Sequence, residues 1–283
     1  MTKTNQQKVK DFLINNGVII VMFILVIYTG FTSDNFFTRN NFMNILMNMS
    51  SRLVIALGIA GCVITAGCDL SAGRMIGFGA CISGMLLQRM DYSGKFFPDM
   101  QPLNVFVVAL IAMLVCAAFG TVTGFFIAYL NVPPFIATLA MMEIVYGIGL
   151  IVTNATPLGG YVEQYTNVSN GKFLGINYLI WIAIIVAAIT WFIFNMTRHG
   201  KYMYAIGGNP QAAEVAGVPV KATLILIYMK AAAMYGLAGF MLGAKAGGAS
   251  VQTGYGYEME AIAACTIGGV SVTGGRGKVS SAI

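Results

Sequence analysis

The sequence predicts an all-α, polytopic transmembrane bundle with broken helices and one short cytoplasmic helix. Three observations predict it. Only 9% of the residues are charged, where a soluble domain carries roughly a quarter. Hydrophobic residues make up 58% and the mean hydropathy is +0.78. Apolar runs near the length that crosses a bilayer, roughly 20 residues, recur between polar or Gly/Pro-rich stretches. The 283 residues therefore hold one membrane domain, residues 1–283, with about eight segments.

The net charge of +6 comes without a basic run, so composition gives nucleic acid no footing as a partner. Cys62, Cys68, Cys81, Cys116 and Cys265 lie in apolar segments without C-x-x-C spacing, and a disulfide frame or a zinc site is not expected. His199, the one histidine, argues against a metal centre and is expected to be solvated among loop charges.

In chain order, Lys3, Lys8 and Lys10 precede an apolar segment, Phe12–Phe31, with no small-x-small cleavage site after it, so it reads as an uncleaved first span. Ile45–Ala66 is the second. Gly67–Gly73 interrupts it from a third, Arg74–Leu87, and the polar loop Gln88–Leu103 follows. The fourth span, Asn104–Leu130, meets Asn131-Val-Pro-Pro134, and the fifth is Phe135–Val152. Thr153–Asn177 is a long hydrophilic connection. Tyr178–Met196 and Ala222–Ala244 are the sixth and seventh spans. A Gly-rich turn, Gly247–Gly256, leads to a shorter apolar segment, Tyr257–Val272. The chain ends at Ser280-Ser-Ala-Ile283, three residues into what reads as another apolar segment, so about two further spans are expected beyond it.

With the N-terminus inside, the inside-facing positions hold Lys3, Lys8, Lys10, Arg74, Arg198, Lys201, Lys221, Arg276 and Lys278. The outside-facing ones hold only Arg39, Arg89, Lys95, Lys172 and Lys245, and this excess of inside basic residues sets the orientation. It places the Asn209–Gly217 segment in the cytoplasm and Thr153–Asn177 outside.

Tyr204–Val220 is polar and small in an otherwise apolar chain, and its punctuation spells one short helix. Asn209 is a preferred N-cap and Pro210 suits the first helical position. Gly217 can take the left-handed conformation past the end, and Pro219 stops continuation. The result, Pro210–Ala216, is about two turns long. So short a helix needs a partner, and Ala212, Ala213 and Ala216 suit a close fit into a groove. A plain capped loop helix is the alternative reading.

Catalytic signatures are missing. Gly274-Gly-Arg-Gly-Lys-Val279 resembles a phosphate-binding loop, but Val279 stands where the magnesium-binding hydroxyl is needed. No H-E-x-x-H or G-x-S-x-G occurs either. ATP hydrolysis is therefore expected on another chain.

Two breaks remain as candidate sites. Thr65–Arg74 and Gly254–Glu260 put carboxylates, hydroxyls and tyrosines where helix propensity is interrupted. Irregular backbone at membrane depth is tolerated only where protein or a water-filled cavity surrounds it. Asp69, Ser71, Gly73, Tyr255 and Glu258 are accordingly candidates for a solute path or its gate. The alternative is a pair of tight turns, with Asp69 capping the helix that begins near Ser71. Glu143 and Lys230 lie deep in the fifth and seventh spans, where an ionisable residue is functional or paired, and they are candidates to pair with each other. Gly73/Gly77, Gly120/Gly124 and Gly243/Gly247 read as packing faces.

Four motifs resemble those of a known family, the permeases of bacterial sugar ABC importers. They are Thr65-x-Gly-x-Asp-Leu-Ser-x-Gly73, Pro133-Pro-Phe-Ile-Ala-Thr-Leu139 and Ala205-Ile-Gly-Gly-Asn-Pro-x-Ala-Ala213, and the fourth joins Tyr257-Glu-Met-Glu-Ala-Ile-Ala-Ala264 to Gly268-Gly-Val-Ser-x-x-Gly-Gly275. Asp69-Leu-Ser-Ala-Gly-Arg74 most resembles the galactose/methyl-galactoside members of the ribose–xylose–galactose group. The resemblance implies a bacterial inner-membrane permease for a monosaccharide, working as a homodimer in membrane lipid with a cytoplasmic ATP-binding-cassette ATPase and a periplasmic sugar-binding protein. ATP and magnesium would act on the ATPase, with no cofactor on this chain. It also implies that the Asn209–Gly217 helix couples to the ATPase through Gly207, Gly208, Asn209, Pro210, Ala212, Ala213 and Gly217. No role for Glu143 or Lys230 follows from it. An ion- or proton-coupled secondary transporter with Glu143 as carrier is the rival reading.

Overall fold

The computed structural model describes residues 17–33 and 35–277. Lys3, Lys8, Lys10, Lys278 and Ser280–Ile283 lie outside the described residues. Helices dominate because a chain in lipid must satisfy its backbone groups within each segment. They are α1 (Gly17–Thr32), α2 (Arg39–Ile64), α3 (Ala72–Leu86), α4 (Val105–Tyr129), α5 (Pro134–Thr153), α6 (Glu163–Asn170), α7 (Tyr178–Met196), α8 (Arg198–Gly208), α9 (Pro210–Val215), α10 (Val220–Ala246) and α11 (Tyr257–Ile267). Between α6 and α7 lies a two-stranded hairpin, β1 (Lys172–Phe173) and β2 (Ile176–Asn177). Among the described residues α2, α4, α5, α7 and α10 are long and apolar enough to cross a membrane.

The chain divides into two compact units, residues 1–46 and 47–283. In the first, α1 leads to a tight turn in which the Phe36 amide donates to the Ser33 carbonyl at 3.1 Å. The Asn41 side-chain amide donates back to the Phe36 carbonyl at 2.8 Å, and the Phe36 and Phe37 rings meet edge to face.

In the second unit α10 packs on α3 and α4 at glycines. A Cβ on Gly236 would stand 2.5 Å from the Ala112 carbonyl of α4, and one on Gly79 of α3 would stand 2.9 Å from Gly236. One on Gly124 would stand 2.7 Å from the Ile225 Cα. Lipid is as apolar as the side chains, so close backbone approach replaces the hydrophobic effect as the association force. Gly73/Gly77 and Gly120/Gly124 are contact faces. In the third pair only Gly243 packs, against the Tyr165 hydroxyl, while Gly247 is open and closes α10 at φ +65°. The central helix is α2, whose span is 72% buried against 22% for that of α4. α4 and α5 therefore leave most of their surface to lipid or to another chain.

The connection Thr153–Asn177 is more ordered than its hydrophilic sequence suggests. It forms α6 and the hairpin, and α6 is pinned by the Tyr165 hydroxyl donating to the Phe240 carbonyl at 2.7 Å. Asn177 ends it by accepting from the Leu179 amide at 2.8 Å as N-cap of α7.

Candidate functional site

The first break follows α2. Ala66 turns the chain at φ +57°, and residues 67–71 run without helix until α3 starts at Ala72. Asp69 is 2% exposed and organises the segment. Its Oδ1 accepts from the Ser71 amide at 3.0 Å and the Ser71 hydroxyl at 2.6 Å, and its Oδ2 accepts from the Tyr235 hydroxyl of α10 at 3.1 Å. The Thr138 hydroxyl of α5 donates to the Cys68 carbonyl at 3.2 Å. The break is thus tied to α5 and α10, and Asp69 and Ser71 sit together at the start of α3, where Ser71 is the N-cap residue and no side chain caps the helix.

The second break, Gly247–Gly256, is no simple surface turn. Ala249 and Leu158 exchange two backbone bonds of 2.8 and 2.9 Å beside α6. The chain then runs down the face of α3, because a Cβ on Gly77 would meet the Val251 carbonyl at 2.7 Å and one on Gly73 the Gly254 carbonyl at 3.0 Å. Gly254 and Gly256 take φ +80° and +88° to make this descent. α11 continues it. The Cys265 thiol reaches the Ala56 carbonyl, and the Gly275 amide donates to the Ile64 carbonyl at 2.9 Å at the far end of α2. Residues 247–277 are therefore one crossing, half irregular and half helix. Arg52 anchors it through an ion pair of 2.7 Å to Glu260 and by lying over the Tyr257 ring, an anchor that span patterning does not show.

Where the two breaks meet, Arg74 of α3 lies between two aromatic faces. Its guanidinium carbon is 3.9 Å from the Tyr146 ring centroid and 4.2 Å from that of Tyr255. Its Nη1 donates to Gln252 Oε1 at 2.7 Å, and Gln252 Nε2 donates to the Tyr146 hydroxyl at 3.1 Å. Glu258, 5% exposed, puts Oε2 against the Cα of Gly73, in space that any side chain there would fill. Gly73, Tyr255 and Glu258 are thus brought together. Arg74, counted from sequence as an inside-facing loop charge, is instead packed on Gln252 and two rings, which removes it from that count. Tyr146 and Gln252 complete the cluster. Linear spacing gave no signal for either, since they come from α5 and the second break.

The short helix forms with the caps its sequence calls for. Asn209 accepts from the Ala212 amide at 2.9 Å, Pro210 opens α9, and Gly217 takes φ +83° just past it. The last helical residue is Val215, with Ala216 as C-cap. Gly208, Asn209, Pro210, Ala212 and Ala216 are exposed, Val215 is 92% exposed, and only Ala213 is buried. The preceding Arg198–Gly208 is helical too (α8), although the charges around His199 read as a loop. Gly207 seats it, since a Cβ there would collide with the Ile64 carbonyl, whereas Gly208 has nothing within 4 Å.

Glu143 and Lys230 do not pair. Glu143 is exposed on α5, which packs on α3 and α4. Lys230 is half-buried on α10, lining a small cavity with His199, Thr190 and Met203. Among the described residues no ion pair joins them; the two helices present these side chains to different neighbours. His199 is not a freely solvated loop residue. Burial, with the Lys230 charge nearby, pushes its imidazole down to about 4. All five cysteines are free thiols, and Cys62, Cys81, Cys116 and Cys265 are buried.

A multi-pass helical protein with two interrupted crossings around a polar cluster, and a short, exposed, capped helix at one end, has the build of a membrane transport subunit. The chain belongs to the family described as the permease component of branched-chain amino acid transport systems, which it matches over residues 41–280. It is 40% identical to the galactose/methyl galactoside import permease protein of Escherichia coli (strain K12), across 99% of this chain and 85% of that protein. To the protein of the same name in Haemophilus influenzae it is 41% identical, across 100% and 86%. It is 32% identical to the ribose import permease protein of Escherichia coli (strain K12), across 95% and 82%. No solved structure matches the chain. Family and helices together make it a multi-pass permease of the inner membrane.

Proposed function

We propose that this chain is the membrane-spanning permease of an ATP-binding-cassette importer that brings a monosaccharide, galactose or a methyl galactoside, into the cytoplasm. The relatives named for galactose import are 40–41% identical to it and the ribose one 32%. Within the site, the observation that carries the reading is the pair of carboxylates at the helix starts. Asp69 sits at the N-terminus of α3 and Glu258 in the first turn of α11. Helix N-termini inside a transporter would otherwise attract the carboxylate of an anionic or zwitterionic solute. Here the protein places its own carboxylates beside both helix starts, which suits a neutral sugar better than an amino acid. Asp69, Ser71, Gly73, Tyr255 and Glu258 form part of the path or its gate.

In this reading residues 1–283 act as one permease domain whose N-terminus is cytoplasmic. A second copy completes the path, and a periplasmic binding protein delivers the sugar. ATP and magnesium act on a cytoplasmic ATPase, which receives α9 with Gly207, Gly208, Asn209, Pro210, Ala212, Ala213 and Gly217. ATP-driven closure of the ATPases would move α9 and switch the path from outward- to inward-facing. Val215 and the exposed alanines fit this docking.

The test is competition for ATP-driven uptake of labelled galactose by the reconstituted complex. Unlabelled galactose and methyl β-galactoside should compete, and leucine should not. Competition by leucine but not by the galactosides would overturn the sugar assignment.

A further inference from the structure

Arg74 has an unusual set of neighbours for a cation inside a bundle. It lies in the first turn of α3, where the helix dipole disfavours positive charge. No carboxylate lies within ion-pair distance of it: among the described residues the ion pairs are Arg52–Glu260 and Arg89–Asp91, and Glu258 acts on it only as a nearby acidic group. Two tyrosine faces, the Gln252 side chain and the Val251 carbonyl hold it instead. Two buried polar atoms are left without partners at this place, Arg74 Nε and Glu258 Oε2. A buried orphan of this kind is destabilising, and more so when charged. A static staple would have joined the two.

The ring facing Arg74 from the second break is free to leave. Tyr255 is 59% exposed and sits between two left-handed glycines, Gly254 and Gly256, with open space around Gly256. A cation–π contact is a weak bond, so the clamp can open in a driven cycle. The same parts suit a sugar. An aromatic face receives the C–H side of a pyranose, a guanidinium donates and a carboxylate accepts.

We propose that Arg74 is the closing element of the solute path, held between Tyr146 and Tyr255 at rest and released when residues 250–256 move, and that Arg74 Nε and Glu258 Oε2 then bind hydroxyl groups of a neutral polyhydroxylated solute. The proposal rests on the reading of this chain as a sugar permease.

The experiment uses the permease with its ATPase and binding protein in proteoliposomes. Tyr146→Cys is labelled with a membrane-impermeant maleimide at rest and during ATP turnover, with the unsubstituted complex giving the background of the native cysteines. Labelling at residue 146 should quicken about tenfold during turnover, the equivalent of losing one cation–π contact. Equal rates would overturn the proposal. Should Tyr146→Cys fail to assemble, the exposed position decides it: without ATP, Tyr255→Leu should leak labelled galactose about tenfold faster than Tyr255→Phe, again one cation–π contact. Equal leak by the two would overturn it. If the unsubstituted complex accumulates no galactose, the sugar assignment fails, and the labelling rates still decide the clamp.

Discussion

Asp69 accepts three hydrogen bonds inside the protein, and its partners show what each substitution removes. Tyr235→Phe deletes one of the three donors to Asp69 and should cost about 1 kcal/mol. Asp69→Ala strands the Ser71 amide, the Ser71 hydroxyl and the Tyr235 hydroxyl together. Each buried orphan carries its own penalty, so a loss of about 3 kcal/mol is expected. Thermal unfolding in detergent checks the order; a smaller loss for Asp69→Ala than for Tyr235→Phe would remove Asp69 as the organiser of the first break. His199 carries a pH dependence. The unfolded imidazole takes up its proton near 6.5 and the folded one only near 4, so protonation favours the unfolded chain as pH falls through that window. His199→Gln should flatten the loss of stability between pH 6.5 and 4. Curves of equal slope for the two proteins would show that His199 is not held neutral.

Element positions were legible where a single periodicity or a cap decides them. The hydrophobic runs gave α2, α4, α5, α7 and α10 to within a few residues at most ends, and Asn209-Pro210 with Gly217 gave α9. What stayed hidden depends on contacts between distant segments. α6 is held by Tyr165 on Phe240, and α8 by Gly207 on Ile64, and neither shows in local composition. The second break looked like a turn because its descent along α3 requires glycines on the partner, Gly73 and Gly77, as much as its own sequence. Of the site, the polar residues of each break were readable, but the Arg74 clamp was not, since Tyr146 comes from the apolar α5. Gly207 and Gly208 give a sharp element-level contrast. Gly207→Ala forces a Cβ into the Ile64 carbonyl and should destabilise the α8 junction, by about 1–3 kcal/mol as overpacking does. Gly208→Leu projects into open space and should leave the melting temperature unchanged while ATPase co-purification is lost. Retention of the ATPase by Gly208→Leu would show that this end of α9 is not the docking point.

For the whole molecule, two interrupted crossings bring buried carboxylates to helix starts in the interior, and a separate capped helix remains exposed. The energy source follows from that division of labour. If α9 receives force from an ATPase, no ion gradient is needed and Glu143, exposed and unpaired with Lys230, carries no proton. If Glu143 were a carrier, the gradient would be indispensable. The direct measurement is uptake of labelled galactose into proteoliposomes containing the permease, ATPase and binding protein, with a protonophore and without sodium. Uptake should persist under the protonophore and stop when ATP, the ATPase or the binding protein is withheld. Uptake that collapses with the proton or sodium gradient and continues without ATP would contradict ATP as the energy source.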